Sequence, residues 1–321
     1  MKQAELFTVT VIAKQPNGTG NVLLTLARSD SGVLPVFTPG AHIDVVIPQQ
    51  GKRQYSLCSA STEPQHYEIC VRLDAASTGG SHWLHHGLQQ GDSLTISAPR
   101  NHFPLPETSR TLLFAAGIGI TPLLVMAEAL AARDANFRLH LYLKTRADLP
   151  FADRLASDAL RNNVIMHFSD EGDSLRRDTP DDLLYPEDSA LVCCGPQGFI
   201  QYLQDRSRQY GWQAEQFYCE HFNATAAPLV DADSAFEIEL ANCGTRYQVS
   251  ANESIAEVLE REGVAIDLSC EQGICGACVT GVLSGEPDHR DEVLSARQKA
   301  ANDCIVLCCS RSRSPLLVLD L

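Results

Sequence analysis

At 321 residues the chain is too long for a single core and suits two or three compact units. Its 44% apolar content is ordinary for globular protein, and no window approaches the length of a membrane span. A formal net charge of −15 sets up a field that repels nucleic acid and anionic membrane, so neither is expected as a partner.

The start, Met1-Lys2-Gln3-Ala4-Glu5, lacks the basic-then-apolar run of a secretory signal. A cytoplasmic protein is expected, in which the 12 cysteines have no reason to be disulfides. Residues 1–105 alternate short apolar stretches with turn residues. Phe7–Ile12, Val22–Leu26, His42–Ile47, Tyr67–Val71 and Leu94–Ile96 read as strands, and an antiparallel β-barrel is the natural closure. Arg53-Gln54-Tyr55-Ser56 also reads as strand, which puts Arg53 and Tyr55 on one face and Ser56 on the other or at a bend. Arginine pairs with phosphate, a tyrosine ring stacks on an isoalloxazine, and a serine hydroxyl or amide reaches flavin N5. An Arg/Tyr pair on a strand is also what a solvated cross-strand contact looks like. Gly79-Gly80-Ser81 is expected to open a short helix that receives an anion. His82, His85 and His86 follow at helical spacing, but no carboxylate accompanies them as a metal site would suggest.

Residues 106–222 change to strand, helix, strand, the pattern of a parallel α/β sheet. Leu112–Ala116 reads as a buried strand and Pro122–Arg133 as a helix, with Pro122 in a first turn where its missing N–H costs little. Between them, Gly117-Ile118-Gly119-Ile120-Thr121-Pro122 lets the backbone approach a pyrophosphate, although such turns also serve packing. A second turn, Cys194-Gly195-Pro196, follows another buried strand, and two such turns at neighbouring strand ends make a dinucleotide crevice. Lys144 and Arg146 follow the second α/β strand, where a cofactor ribose would lie. Either could pair with a 2′-phosphate, so these residues leave NADH and NADPH open.

Residues 223–233 have linker composition, and 234–321 are the more acidic part. From residue 231 onward 16 Asp/Glu stand against 7 Lys/Arg, net −9, a face suited to docking on a basic patch or simply a soluble surface. A hairpin (Phe236–Leu240, Tyr247–Val249) and a helix (Ser254–Arg261) precede Cys270-x4-Cys275-x2-Cys278, and Cys308 follows after a spacer of 29 residues. This is the plant-type 2Fe-2S spacing, whereas a zinc site usually shows two separated Cys-x2-Cys knuckles or mixed Cys/His ligands. Gly273 and Gly276 let the loop curl so that backbone N–H groups point at the cluster. The fourth ligand is expected on a distant strand, where only one of Cys308 and Cys309 can face the iron; the spacing favours Cys308. Cys58, Cys70, Cys193, Cys219, Cys243 and Cys304 read as buried thiols.

The order of these pieces resembles the phthalate dioxygenase reductase family, with relatives serving vanillate, phenoxybenzoate and carnitine oxygenases. The resemblance spans essentially the whole chain and extends to Glu220-His221-Phe222, Gly285–Asp291 and the tail from Cys308 to Leu321. It implies FMN in the β-barrel, NADH on the α/β domain, and a C-terminal β-grasp 2Fe-2S ferredoxin domain that passes electrons to a Rieske-type oxygenase. It puts Arg53, Tyr55 and Ser56 on the flavin with Gly79, Gly80 and Ser81 near its phosphate, Phe222 over the flavin ring, and Thr121 between flavin and nicotinamide. It also puts Gly117, Gly119, Pro122, Arg146, Cys194, Gly195 and Pro196 on the dinucleotide, and Cys270, Cys275, Cys278 and Cys308 on the irons. Two positions depart from the family pattern. Ala116 replaces a common glycine, and Thr78 stands where a basic residue often precedes Gly-Gly-Ser, which shifts phosphate pairing toward Arg53 and Arg72. A plant-type cluster near about −400 mV can reduce a Rieske centre at about −150 mV or above. The rival readings are a reductase for another acceptor, a ferredoxin or cytochrome P450, and a flavin/2Fe-2S redox sensor.

Overall fold

A computed structural model describes residues 6–30, 32–59, 65–74, 79–222 and 234–321. The chain's first five residues, Thr78 and the expected linker 223–233 lie outside the described residues. What is described falls into two compact units, one ending at Phe222 and one running to Leu321.

The first unit opens with β1 (Leu6–Pro16), β2 (Asn21–Arg28), β3 (His42–Ile47), β4 (Gly51–Ser56), β5 (Tyr67–Arg72), a helical turn α1 (Gly80–His82) and β6 (Ser93–Ser97). These strands form an antiparallel sheet in the order β4-β3-β6-β1-β2-β5. A bridge between Leu57 and Ile69, with Cys58 N–H donating to Glu68 O at 2.8 Å, joins its two edges into a barrel. Alternation decides the inside: Phe7, Val9 and Val11 point inward from β1 while Leu6, Thr8 and Thr10 do not. Fully burying each such aliphatic or aromatic side chain contributes about 1.5–3 kcal/mol.

Next come β7 (Arg110–Ala116), α2 (Ile120–Ala132), β8 (Asn136–Leu143), α3 (Ala152–Leu155), β9 (Val164–Phe168), β10 (Ser189–Cys194), α4 (Gln197–Gln209) and β11 (Phe217–Glu220). The strands are all parallel, in the order β11-β10-β7-β8-β9. Covered on both faces, β7 has to be apolar throughout: Leu113 and Ala115 pack into one core and Leu112, Phe114 and Ala116 into the other. On β8, Leu139, Leu141 and Leu143 take the first core as their alternation predicts. The residues between face the second, where the His140 ring stacks on Phe114 and bonds His167 at 3.0 Å. Burial, and then the neighbouring imidazole, pull the His140 pKa down to about 4.

The two sheets of this unit share an apolar cluster, in which Leu23 and Cys70 meet the α2 side of the parallel sheet, and polar contacts join them further. Asn17 accepts from Phe151 N–H at 2.7 Å, and a β-carbon on Gly18, whose φ is +77°, would lie 2.8 Å from Asp148 O. Arg154 on α3 binds Glu128 on α2 at 2.6 and 2.8 Å and reaches Glu68 of the barrel at 3.4 Å.

The second unit contains β12 (Phe236–Leu240), β13 (Arg246–Val249), α5 (Ile255–Arg261), β14 (Val279–Ser284), β15 (Pro287–Asp288), α6 (Ala296–Ala301), β16 (Cys304–Val306), β17 (Arg311–Ser312) and β18 (Leu316–Leu319). Its main sheet runs β13-β12-β18-β14-β16, with the parallel pair β12·β18 at its centre and α5 packed over its core. Ser254 and Glu257 close a capping box at the start of α5, satisfying its first free N–H groups. Arg311, 2% exposed, donates to the carbonyls of Glu253, Ser250 and Ser234 at 2.6, 3.0 and 3.1 Å. Cys243 corrects an expectation: it lies exposed in the turn between β12 and β13 instead of being buried, because the hairpin ends there. Among the described residues no helix is long and apolar enough to cross a membrane.

Removing Arg154 leaves two carboxylates facing a partly buried joint. Arg154→Ala should therefore lower the stability of the first unit by about 1–3 kcal/mol, read as a lower urea midpoint at unchanged m-value.

Candidate redox centre

The antiparallel register of β14 with β16 sets the cysteines. Val279 pairs with Val306, so the next residues outward, Cys278 and Leu307, meet as Leu307 N–H donates to Cys278 O at 3.3 Å. The fourth cysteine thus falls in the turn that follows β16, not on a strand as expected, because the ladder ends at Val306. In that turn Cys308 faces Cys278, while Cys309 lies against Gly273, where a β-carbon would come within 2.5 Å of its sulfur. Cys270 faces Cys275. Gly273 and Gly276 have φ of +75° and +71°, the curl the loop requires. Backbone N–H groups reach sulfur at Gln272→Cys270, 3.3 Å, and Ala277→Cys275, 3.4 Å. The bond from Cys275 lowers the pKa of the Cys270 thiol, and the bond from Cys308 lowers that of Cys278.

The four sulfurs, Cys270 beside Cys275 and Cys278 beside Cys308, are a donor set that fits two irons with two thiolates each.

In the barrel, β4 carries Arg53, Tyr55 and Ser56 as expected, with Ser56 buried and Tyr55 packed on the core. Burial pushes the Tyr55 phenol up to about 12. Gly79 and Gly80 come to the same corner: β-carbons there would lie 2.6 Å from the Gln50 amide and 3.3 Å from Arg53. Oε1 of Gln50 is buried without a hydrogen-bond partner. An amide, a guanidinium and two side-chain-free backbone positions fit a phosphate. Ser81 accepts from Asp74 N–H at 3.2 Å, and Arg72 ends β5 exposed, in register with Asn21. α1 runs straight on through Trp83–Gly87, so the free N–H groups at its start open a helical run of residues 80–87 beside these side chains.

At the carboxyl edge of the parallel sheet the two glycine turns touch. A β-carbon on Gly119 would lie 2.2 Å from Cys194 O, and one on Gly195 2.8 Å from the Ala116 β-carbon. Both glycines therefore serve packing. Gly117, at φ +58°, has nothing within 4 Å of the β-carbon position and leaves its turn open to a ligand. Thr121 is buried and donates to Ile118 O at 3.0 Å, so its hydroxyl caps its own turn. Pro122 sits in the first turn of α2 and Pro196 just before α4. Phe222 packs half-buried on the apolar cluster that the two sheets share. Arg146 is engaged with Glu171 and the Phe168 ring.

Residues that sequence reasoning passed over adjoin these. A pocket of about 240 Å³ opens beside β8 and α4, with Tyr142, Phe199 and Tyr202 as aromatic walls and Ser169, Ser174 and Arg176 as polar ones. The Tyr142 hydroxyl is buried without a partner. Phe199 was findable, three residues beyond Pro196 at the start of a helix. Glu220 lies in register with Cys194 at the end of β11, with Oε2 sealed from solvent and unpartnered, and burial raises its pKa to about 8.

Residues 238–313 match the family of 2Fe-2S iron-sulfur cluster binding domains. The chain is 42% identical to the vanillate O-demethylase oxidoreductase of Pseudomonas putida, covering 98% of this chain and 100% of that one. It is 37% identical to the phthalate dioxygenase reductase of Burkholderia cepacia, over 90% and 89% of the two chains. The solved phthalate dioxygenase reductase, a modular structure for electron transfer from pyridine nucleotides to 2Fe-2S, matches with TM-score 0.69 at 34% identity, covering 98% of each chain. The chain belongs to the phthalate dioxygenase reductase family. Its members are flavin iron-sulfur oxidoreductases, and this chain is one that uses FMN, NADH and a 2Fe-2S cluster. An intact type IV self-sufficient cytochrome P450 monooxygenase also matches, with TM-score 0.87 at 32% identity over all of this chain but only 42% of that longer one.

Two outcomes follow for the reductase. Cys308→Ser should lose the cluster's visible absorption while Cys309→Ser keeps it; the opposite pattern would reverse the ligand choice. Unfolded, the Glu220 carboxyl ionises near its ordinary 4.5; folded, near 8, so its ionisation opposes folding from about pH 4.5 upward and in full above pH 8. Glu220→Gln should raise the melting temperature at pH 8.5 and leave it unchanged at pH 4.5, as followed by calorimetry.

Proposed function

We propose that this reductase takes hydride from NADH onto FMN and passes the electrons singly through its 2Fe-2S cluster to the Rieske centre of an oxygenase in the cytoplasm. The observation that carries the reading is the set of four thiols, Cys270 beside Cys275 and Cys278 beside Cys308, because it suits a one-electron carrier. A flavin, when bound, supplies the conversion of a two-electron donor into single electrons.

The chain's own residues supply position. Gln50 and Arg53 meet at Gly79 and Gly80 to hold the flavin phosphate, Tyr55 backs the ring, and Ser56 lies at the end of the same strand. The open Gly117 turn receives the pyrophosphate, and the pocket of Tyr142, Phe199 and Tyr202 takes the adenosine. Aromatic walls suit a purine, and the serine hydroxyls and Arg176 suit its sugar and phosphates. The acidic balance of the cluster-bearing residues, net −9 from residue 231, favours docking on a basic face of the oxygenase.

A second reading has one observation in its favour. The likeness to the self-sufficient cytochrome P450 monooxygenase makes a haem acceptor a chemically reasonable destination for the same electrons. Full-length likeness to the vanillate enzyme supports the oxygenase instead.

Anaerobic NADH should bleach flavin and cluster bands together in the wild type. In Cys275→Ser it should bleach flavin alone, with cytochrome c reduction lost. Intact cytochrome c reduction in that variant would falsify the electron path. A wild-type cluster reduced by dithionite but not by NADH would favour the redox sensor.

A further inference from the structure

One turn of the barrel grips one loop of the parallel sheet. The turn is residues 17–20, between β1 and β2, and the loop is residues 145–151, which follow β8 at the carboxyl edge. Thr19 donates to Ala147 O from its N–H at 2.9 Å and from Oγ1 at 3.0 Å. Gly18 packs so closely that a β-carbon would come 2.8 Å from Asp148 O and 2.9 Å from Leu149 O. Asn17 spans the joint with its amide: Oδ1 accepts from Phe151 N–H at 2.7 Å, while Nδ2 stays on the barrel and donates to Cys70 Sγ at 3.5 Å.

Phe151 is the residue that needs holding. Its φ of +54° and ψ of +35° are left-handed, a conformation that a bulky side chain adopts only where its surroundings impose it. The ring is buried in the apolar cluster of the two sheets, with the Arg154 guanidinium 5.4 Å from its centroid. Those contacts place the side chain, whereas the backbone is pinned through the N–H that Asn17 accepts. The front of the loop needs no such help, because Thr145 and Asp148 close a capping box of their own. The strain therefore lies at the far end of the loop, where the barrel reaches it.

The loop begins two residues beyond Leu143, which lines the pocket proposed for the adenosine. In a dinucleotide crevice the carboxyl end of this strand meets the adenosine ribose. A loop that leaves its binding shape is competent only part of the time, and the dissociation constant rises in inverse proportion to that fraction. We propose that Asn17, a residue of the flavin barrel, is a positioning residue for the dinucleotide: by holding Phe151 left-handed it keeps residues 145–151 in the shape that receives the adenosine half of NADH. The hydrogen-bond partners of Asn17, which are Phe151, Asn21 and Cys70, include no residue of the flavin corner or the glycine turns, so binding depends on it and the rate of hydride transfer does not. The inference rests on the reading that the dinucleotide binds across this crevice.

Anaerobic stopped flow on the full FMN-loaded chain gives the NADH dissociation constant and the limiting rate of flavin reduction. Calorimetry with ADP-ribose, which carries no nicotinamide, gives binding without turnover. Asn17→Ala should weaken NADH and ADP-ribose alike by about fivefold or more, with FMN content and limiting rate within about twofold of the wild type. Asn17→Asp keeps the acceptor and should bind both within about twofold of the wild type. Gly18→Ala pushes on the same loop without touching Asn17; it should weaken both ligands, and it decides the matter if Asn17→Ala does not fold. Unchanged dissociation constants in the deciding variant, even with a lower melting temperature, make the turn a structural tie only and overturn the inference, as does a fall in the limiting rate alone. Binding in Asn17→Asp as weak as in Asn17→Ala overturns the part assigned to the Phe151 N–H. A wild type that binds no ADP-ribose and whose flavin NADH does not reduce overturns the crevice reading and this inference with it.

Discussion

A β-carbon on Gly119 would sit 2.2 Å from the carbonyl oxygen of Cys194, far inside van der Waals contact. The two turns at the carboxyl edge of the parallel sheet can therefore touch only because neither carries a side chain at the point of contact. Much of the first unit's site depends on that approach. It fixes the start of α2, and with it Thr121 and Pro122, against the turn after β10, and it brings the end of β11 with Glu220 beside Cys194. Gly117, one turn residue away, is left with open space and a left-handed backbone. In this motif, close packing and ligand access fall to different glycines.

The cluster-bearing unit solves a similar problem in a different way. Its loop must turn three sulfurs inward, and left-handed Gly273 and Gly276 make that possible while Cys309 fills the space beside Gly273. Three cysteines lie on the loop, but the pairing across to Cys308 is decided by a β-ladder nearly thirty residues downstream. The register Val279 to Val306 is therefore as much a part of the metal site as the loop is.

Local patterns were the legible part. Strands with period two, a helix opened by Ser254 with Glu257 three residues on, and cysteine spacing all carry their physics in a short window. What stayed hidden depends on which distant atoms end up adjacent. His140 and His167 look like ordinary polar residues of their strands until the parallel register stacks their rings in the second core. Arg311 looks like a surface charge until three carbonyls surround it. Gln50 carries no motif, and only the approach of Gly79 brings its amide to the proposed phosphate corner. Spacing favours Cys308 over Cys309, and Cys308 is the one beside Cys278, but a turn and not strand alternation separates the two.

The net charge of −15 excluded partners but says little about the sites, because each site handles charge locally. At the cluster loop, backbone N–H groups of Gln272 and Ala277 point at sulfur, so negative charge is met by dipoles that the glycine-bent backbone supplies. At Glu220 the opposite happens: burial raises the pKa of a carboxyl whose sealed Oε2 has no partner to about 8 and favours its neutral form near pH 7. A negative charge beside Cys194 would otherwise stand next to the edge proposed to accept an anionic pyrophosphate. After β8 and β9, Arg146 and Glu171 pair in the open. Dipole compensation, neutralisation and pairing thus keep the negative field low in the crevice and met by backbone at the cluster, and the surplus acid is left on the surface where it can steer a partner.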